Sequence, residues 1–308
     1  MTHAGACPDC LRRAWLLSLA GPYIERTLVN DPGRSVFDIL RLSNEALVER
    51  VAPEVAASLL ARIEALPEHY FADALRVAEC WATCRHDPFF PESAEEAPGA
   101  SGALIGVGDP RHLVSFEWSQ TATLVGARRA TSYGREMAHA LGADLAASGV
   151  TVVSGLDFGI GGCAHRGAVE AGRTIAVLPC GPDVTFPAVH RGLWKKIAER
   201  GLVLSELPPG ATPWCWSVPA RSRIMAALAG MTVVVEAHEG SGSLLTAELA
   251  RRLGNEVGAV PGQATSRCSV GTNALLDEGA HVVRGADDVL GVLRGSARGA
   301  KSSVGGRS

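Results

Sequence analysis

The sequence lacks the marks of several large functional classes. No apolar run approaches the ~20 residues of a membrane-spanning helix. The first residues have neither the basic start nor the apolar segment of a secretory signal, so we expect a cytoplasmic protein without a membrane partner. No Gly-x-x-x-x-Gly-Lys-Ser/Thr loop is present, which argues against P-loop nucleotide hydrolysis. No glycine fingerprint is followed by an acid ~20 residues on, which argues against NAD.

A strong charge of one sign is also missing. The formal net charge is −3, with 29 basic and 32 acidic residues. Any polyanion must therefore be bound by a local cluster rather than by the field of the whole surface. Neither a Ser–His–Asp triad nor a metal-hydrolase motif can be found. The sequence thus predicts a binding protein with no catalytic residue and no cofactor, rather than an enzyme.

The eight cysteines do not resemble a secreted disulfide framework, because they are few and unevenly spaced in 308 residues. Five residues have spacings that zinc sites use, namely Cys7, Cys10, Cys80, Cys84 and His86. A long stretch of chain separates the two pairs of cysteines, so a zinc site and buried free thiols both remain open.

Composition and periodicity divide the chain into four parts. Residues 1–92 are predicted to form a helical domain, with a first helix ended by Gly21-Pro22 and a last one from Pro67 to Cys84. Residues 93–103 read as a linker rich in proline and acid, and residues 294–308 as a disordered basic tail. Between them, residues 104–293 alternate short apolar runs with helical segments. This alternation predicts an α/β domain with a mostly parallel sheet covered on both faces.

The stretch from Thr121 to His165 organises that domain. It reads as strand, glycine turn, helix, strand, glycine turn and helix. Each turn leads into a helix N-terminus, where backbone N–H groups and the helix dipole favour anions. His165 could be a catalytic base, although a histidine there more often hydrogen-bonds a neighbouring turn.

Arginines and small residues follow the predicted strand ends. Arg128 and Arg129 are the first candidates for phosphate contacts, with Arg221 and Arg223 next, because guanidinium groups bind phosphate through paired hydrogen bonds. Surface ion pairs are the alternative for each. The turn Gly240-Ser-Gly-Ser243 before a helix resembles an anion cradle, although such turns also cap helices without any ligand.

These residues resemble the DNA-processing protein A (DprA/Smf) family over about residues 104–290. The matching stretches keep their order and spacing; they are Val125-Gly-Ala-Arg-Arg129, Val153-Ser-Gly-Leu156, Gly159-Ile160, Ala164-His165, Ser205-Glu-Leu-Pro-Pro-Gly210, Pro219-Ala-Arg-Ser-Arg-Ile224, Val235-Glu236, Ser241-Gly-Ser-Leu244, Thr246-Ala247, Val260-Pro-Gly262, Gly271-Thr-Asn273 and Gly279-Ala280. The start Cys-x-x-Cys-Leu-Arg-Arg also resembles the helical domain found ahead of this fold in family members.

The resemblance implies an extended Rossmann-like, doubly wound sheet in a homodimer. It implies a protein that binds single-stranded DNA, protects incoming strands during natural transformation and loads a RecA-type recombinase. Carried over by position, the expected DNA contacts are Gly126, Ala127, Arg128, Arg129, Ser154, Gly155, Arg221, Arg223, Ser241, Gly242 and Ser243. Recognition of this kind depends mainly on backbone charge.

Three residues depart from the family pattern. Asp157 stands where a small or basic residue is usual, Gly161 replaces an aspartate, and Ser222 replaces an asparagine. An acid beside a phosphate site would weaken binding unless it faces away. The departures bear on the affinity for DNA, not on the fold.

Two alternatives stay open at this point. A phosphoribohydrolase of the lysine-decarboxylase-like family, acting on nucleoside monophosphates, would use a glycine/threonine helix start and a glutamate, which Gly242, Thr246 and Glu248 faintly match. A divergent paralogue could instead have lost DNA binding and survive as an interaction scaffold. Whether the cellular role is transformation, repair or defence does not follow from the residues.

Overall fold

The computed structural model describes residues 5–114 and 117–304. The chain begins with a group of helices: α1 Pro8–Asn30, α2 Val36–Leu40, α3 Asn44–Val51, α4 Ala56–Glu64 and α5 Glu68–Val77, with a short 3-10 turn at Pro53–Val55 before α4. Leu16, Leu17 and Ile24 on α1 are buried against the others. The predicted N-terminal helical region is therefore present.

Helix α1 continues past Gly21-Pro22, where the sequence predicted its end. Gly21 lets Trp214 approach the helix, since a Cβ at Gly21 would lie 2.5 Å from the Trp214 Nε1. The Trp216 indole N–H donates to the Gly21 carbonyl at 3.1 Å. These tertiary contacts outweigh the local cost of a proline inside a helix, which periodicity alone could not reveal.

A sheet of nine strands follows in the described residues: β1 Trp81–Cys84, β2 Ala103–Gly108, β3 Thr121–Val125, β4 Thr151–Gly155, β5 Thr174–Val177, β6 Leu202–Ser205, β7 Met231–Val234, β8 Glu256–Ala259 and β9 His281–Val282. Their order across the sheet is β1-β2-β6-β5-β4-β3-β7-β8-β9. Pairing is parallel from β6 to β9, whereas β2 runs antiparallel to both β1 and β6.

Helices accompany the strands: α6 Glu92–Glu95, α7 Arg111–Val114, α8 Ser132–Ala147, α9 Ile160–Ala171, α10 Arg191–Arg200, α11 Ser217–Ala227, α12 Gly242–Arg252, α13 Val270–Asp277 and α14 Ala286–Val304, with 3-10 turns at Trp118–Gln120, Ala188–His190 and Arg267–Ser269. Helices α8 and α9 pack closely, since a Cβ at Gly142 would lie 2.2 Å from the Ala164 carbonyl oxygen. Buried aliphatic clusters surround the strands. The predicted α/β, Rossmann-like, mostly parallel sheet is confirmed.

The first strand was not foreseen. Residues 81–84 were predicted as the end of a helix, yet all four are buried and pair antiparallel with β2. The predicted linker, residues 93–103, contains most of α6 and the first residue of β2. Helix α14 continues through residue 304, inside the predicted tail, and residues 305–308 lie outside the described residues. The domain boundaries themselves stay predictions.

The strand order reverses beside β3. From β3 the chain moves outward through β4, β5 and β6 on one side, and then returns to place β7 on the other side. The carboxyl ends of β3 and β7 therefore flank a crevice, the place where open α/β sheets bind ligands. Within the described residues no helix has both the length and the apolar character needed to cross a membrane.

Candidate functional site

A cavity of about 810 Å³ opens where these strands end. We call it the strand-end cavity; its walls are the turns after β3 and β4, one face of α11, the start of α12 and the turn at Arg267–Cys268. Ten of the eleven predicted contact residues line it: Gly126, Ala127, Arg128, Arg129, Ser154, Gly155, Arg221, Ser241, Gly242 and Ser243. A volume of this size lies within the ~300–1,000 Å³ of typical ligand pockets.

The turn after β3 is held in place by Glu236, two residues after the end of β7. The Ala127 N–H donates to the Glu236 carbonyl at 2.8 Å. The buried Glu236 carboxylate accepts the Thr131 N–H at 2.9 Å and the Thr131 hydroxyl, and Thr131 caps α8. Gly126 is required here, because a Cβ would lie 2.6 Å from the Ile160 Cγ1. The glutamate thus fixes the turn that presents Arg128 and Arg129 and does not itself line the cavity.

The start of α9 is drawn tightly against the ends of β3 and β4. Gly159 has a φ of +69° and a Cβ there would lie 2.3 Å from the Ala127 carbonyl oxygen. A Cβ at Gly161 would lie equally close, 2.3 Å, to the carbonyl oxygen of Gly155. In this chain the glycine at 161 therefore permits a close helix–strand approach. Ser154 is buried and donates to the Leu124 carbonyl at 2.6 Å, which ties β4 to β3.

Asp157 faces the cavity and bridges two arginines. Its carboxylate forms an ion pair with Arg221, whose side chain is 5% exposed, and a second one with Arg128 at 3.5 Å. Arg128 remains 55% exposed. Phosphate binding would be unimpeded only if Asp157 faced away from the cavity, and it does not. It neutralises part of the charge of the two arginines and also holds them in position.

Arg221 is not fully matched by protein acceptors. Its Nη1 donates to the Val177 carbonyl at a long 3.4 Å, and its Nη2 meets Asp157. The buried Nε has no hydrogen-bond partner among the described residues. A buried donor without an acceptor costs free energy. Among the six such side-chain atoms of the described residues, the Arg221 Nε is the one whose residue lines the cavity.

Arg223 does not line the strand-end cavity, although it was predicted beside Arg221. Its side chain is 1% exposed and pairs with Glu206. Its other N–H groups donate to the carbonyls of Pro98, Gly99 and Ala220 at 2.8 Å each. Arg223 therefore holds the segment before β2 against α11. Two residues along a helix correspond to ~200° of rotation, which explains why the Arg223 side chain points away from the cavity that Arg221 lines.

The N-terminus of α12 forms another wall. Ser241, the residue before the helix, and Ser243 hydrogen-bond each other through their hydroxyls at 2.9 Å, and a Cβ at Gly242 would meet nothing within 4 Å. Thr246 lines the cavity one turn later. Glu248 is exposed and pairs with Arg252, and it is absent from the cavity lining. The arrangement that the hydrolase alternative needs is therefore incomplete, because its glutamate lies elsewhere.

Two further basic residues line the cavity and were not foreseen: Arg267 and His238. Both are exposed and come from segments after β7 and β8. Arg267 follows the motif Val260-Pro-Gly262, so its place after a strand end was a usable signal. Ser222, the third departure, also lines the wall and donates along its own helix to the Val218 carbonyl at 3.4 Å.

His165 is a buried structural residue. Its Nδ1 lies 2.8 Å from the Thr174 hydroxyl, which itself donates to the Val152 carbonyl. Nδ1 must therefore carry the hydrogen and donate to Thr174. Burial lowers the pKa of His165 to about 4, so the ring is neutral at pH 7. The ring is absent from the cavity lining, which leaves it no substrate to act on there.

The zinc candidates lie apart from the strand-end cavity. Cys7, Cys10, Cys84 and His86 come together, whereas Cys80 is outside the group. The Cys80 thiol donates instead to the Ala78 carbonyl at 3.3 Å.

Comparison with known proteins is consistent with this architecture. The family model for DNA recombination-mediator protein A matches residues 81–294. A relative from Mycobacterium tuberculosis is 46% identical over 172 residues, which are 56% of this chain and 44% of the relative. The chain spans about half the length of several curated relatives that it matches.

Two solved structures are also similar. The X-ray structure of DNA processing protein A from Streptococcus pneumoniae superposes with a TM-score of 0.72 at 26% identity, covering 94% of this chain and 98% of that one. A Helicobacter pylori structure, described as showing a single-stranded DNA binding mode of its DNA processing protein A, gives 0.62 at 27% identity and covers 70% and 96%. The sequence motifs, the sheet order and the match over residues 81–294 together show that this chain belongs to the DNA recombination-mediator protein A family.

Proposed function

We propose that this protein binds single-stranded DNA in the strand-end cavity and acts as a recombination mediator rather than as an enzyme. The observation that carries the proposal is the charge of the lining. Arg128, Arg129, Arg221 and Arg267 are set against Asp157 as the one carboxylate among the described lining residues. A net positive cavity in an acidic protein is a local attraction for phosphate.

The arginines differ in how freely they can reach a ligand. Arg128 is half exposed and shares Asp157 with Arg221, while Arg129 is exposed and forms no ion pair within the described part of the chain. Guanidinium groups bind phosphodiester oxygens by paired, charge-assisted hydrogen bonds of ~1.5–3 kcal/mol each. Arg128 and Arg129 would contact the phosphates of the DNA backbone directly. Arg221 would add its positive charge from a buried position.

The helix ends add sequence-independent donors. The N-termini of α8, α9 and α12 all lie at this edge of the sheet, next to turns that line the cavity. Small residues at 126, 127, 155, 241 and 242 leave room for a sugar-phosphate chain to approach the main chain. Such contacts do not read bases, so we propose binding with little sequence preference.

The cellular role is proposed from the family and its relatives. The Helicobacter pylori protein is described as binding single-stranded DNA, and the family model is that of a recombination mediator. We propose that this protein protects incoming strands during natural transformation and helps to load a RecA-type recombinase onto them, as a homodimer in the cytoplasm. A strand-exchange assay on DNA coated with single-strand binding protein would test the loading step, and light scattering would test the dimer.

Anisotropy of a fluorescent single-stranded oligonucleotide, measured across a salt series, tests the binding step. The native chain should bind, and log K should fall linearly with log salt by ~0.7 for every phosphate contact. Arg128→Ala should weaken binding and flatten that slope by about one contact. Arg62→Ala is the matched control, because Arg62 is exposed on α4 and removes one charge away from the cavity.

Two results would contradict the proposal. One is absence of binding by the folded native chain at low salt. The other is an equal loss of affinity in Arg128→Ala and Arg62→Ala, which would place the DNA elsewhere. Release of ribose 5-phosphate from a nucleoside monophosphate would instead favour the phosphoribohydrolase alternative.

A further inference from the structure

A second cluster of chemically active side chains lies at the junction of α1 and β1. It contains three thiols and an imidazole, from Cys7, Cys10, Cys84 and His86, and the ligand atoms all lie within 4.8 Å of one another. The His86 Nδ1 lies 3.3 Å from the Cys7 Sγ and 3.8 Å from the Sγ of both Cys10 and Cys84. None of these residues lines the strand-end cavity.

The fold brings the two halves together from positions far apart in sequence. Cys7 is the residue before α1 and Cys10 lies in its first turn, so their thiols share one end of the helix. Cys84 ends β1, and a tight turn, in which the Asp87 N–H donates to the Cys84 carbonyl at 2.7 Å, brings His86 back towards it. The Cys7 N–H donates to the Cys84 Sγ at 3.3 Å across 77 positions of chain.

The spacing of these atoms matches a tetrahedral metal site. Zn–S bonds of ~2.3 Å and Zn–N bonds of ~2.0 Å place the ligand atoms of a tetrahedron roughly 3.5–3.8 Å apart. The three sulfur–nitrogen distances of 3.3, 3.8 and 3.8 Å bracket that range. A main-chain N–H directed at a ligand sulfur is the kind of outer contact that zinc thiolate sites use.

Free thiols or a disulfide explain the arrangement less well. Cys80, four residues before Cys84, behaves as an ordinary buried thiol with a carbonyl acceptor. A disulfide could join only two of the three clustered sulfurs, leaving the third sulfur and the imidazole without a role. Three sulfurs and one imidazole nitrogen, with Cys10 and Cys84 buried, form a complete set for a zinc ion.

We propose that Cys7, Cys10, Cys84 and His86, the last through Nδ1, bind one structural zinc ion. Four protein ligands leave no open position, so the ion would not catalyse a reaction. It would fasten the beginning of α1 to the outermost strand of the sheet. The zinc ion would thereby cross-link the helical region to the sheet through its coordination bonds.

The primary test is the metal content of the full-length chain, purified from zinc-supplemented cells under reducing conditions, by plasma mass spectrometry. One zinc per chain is expected for the native protein. Cys10→Ser, Cys84→Ser and His86→Ala should lower the zinc content severalfold or more. Cys80→Ser is the matched control and should keep a full equivalent, because it removes a thiol from the same segment without touching the cluster.

A spectroscopic readout separates coordination from a merely structural effect. Co²⁺ added to the reduced, metal-free native chain should give tetrahedral visible bands and a thiolate-to-cobalt charge-transfer band, with saturation at one equivalent. His86→Cys should keep the metal, since four cysteines also suit zinc, and should shift the visible bands by changing one ligand from nitrogen to sulfur.

The proposal is overturned if the native chain holds no zinc and shows no charge-transfer band with Co²⁺. It is also overturned if Cys80→Ser loses as much zinc as Cys84→Ser, or if mass spectrometry finds a disulfide within the cluster of the protein as it exists in the cell. Because the cobalt titration needs only the native chain, it tests the proposal even if a variant fails to fold.

Discussion

Helix α11 has two faces that treat the same residue type in opposite ways. Arg221 and Arg223 lie two positions apart, both are buried, and both pair with a carboxylate. Each N–H-bearing nitrogen of Arg223 has an acceptor close by, whereas Arg221 has one long contact and an unpartnered Nε. Arg223, which holds the segment before β2, therefore has its donors satisfied, whereas Arg221, which lines the strand-end cavity, leaves part of its hydrogen-bonding capacity unused.

The largest effect should come from the face that supports the fold. Arg223→Ala would leave Glu206, itself only 11% exposed, without its charge partner, and would free three carbonyls from their donor. We expect a loss of ~3–5 kcal/mol in the free energy of unfolding, measured by urea denaturation. Arg62→Ala should change it by no more than ~0.5 kcal/mol. An equally small change in the free energy of unfolding for Arg223→Ala would show that Arg223 does not support the fold.

Acid should destabilise the protein through His165. This residue is buried on α9 and neither lines the cavity nor belongs to α11. In the unfolded chain its pKa returns to the ordinary 6.5, whereas in the folded chain it is about 4. The unfolded state therefore binds more protons below pH 6.5, and stability falls as the pH drops towards 4 and then levels off. The contribution of this one group is up to ~3 kcal/mol.

Denaturation midpoints measured from pH 7 to pH 4 would check this dependence. His165→Asn keeps a donor that can reach Thr174 and does not titrate, so its stability should depend less steeply on pH than that of the native chain. Parallel pH profiles for the two proteins would show that His165 is not the cause.

In the strand-end cavity, which Arg221 lines from α11 and Arg128 from the turn after β3, Arg128→Ala should affect affinity and hardly affect folding. Its guanidinium is half exposed, so its removal leaves no buried charge partner wholly unmatched, because Asp157 keeps Arg221. Loss of one charge-assisted contact, worth ~1.5–3 kcal/mol, predicts roughly tenfold to hundredfold weaker DNA binding by anisotropy. Unchanged affinity together with lowered stability would contradict the proposed role of Arg128 as a DNA contact.

The smallest expected effect is a gain. Asp157→Asn removes the carboxylate that neutralises Arg128 and Arg221 while keeping an oxygen acceptor beside them. We expect about tenfold tighter binding of single-stranded DNA, since ~1.4 kcal/mol corresponds to a factor of ten. The salt dependence should become steeper. Weaker binding would mean that Asp157 is needed mainly to position the arginines.

Much of this could be predicted because the signals were local. Short apolar runs ending in glycine mark the parallel strands, and parallel strands bring their carboxyl ends to one edge. Residues such as Gly126, Ser154 and Ser241 could therefore be assigned to one cavity before any geometry was known. Their role as DNA contacts remains a prediction.

The misses depended on contacts across the chain. Arg223 sits in the same motif as Arg221, and only the direction of the helix tells them apart. Residues 81–84 have no strand-like alternation because both of their faces are buried. Arg267 follows a strand end, but its loop is held at the cavity by a contact across the chain, in which the Ala237 N–H donates to the Cys268 carbonyl at 2.9 Å. Cys80 was left open as a zinc ligand because it shares the spacing of a ligand pair, but the extended strand β1 separates it from Cys84, and its thiol donates to the Ala78 carbonyl.

The pairing of β1 with β2 has a consequence for how the chain folds during its synthesis. The next partner of β2 is β6, where Ile105 faces Ser205, so β2 must wait for about a hundred further residues to be synthesised. In the described topology β1 is its sole earlier neighbour. An apolar strand with open edges invites pairing with other chains. The early strand therefore shields the nascent sheet, and a chain shortened to begin after it would be prone to aggregate during synthesis.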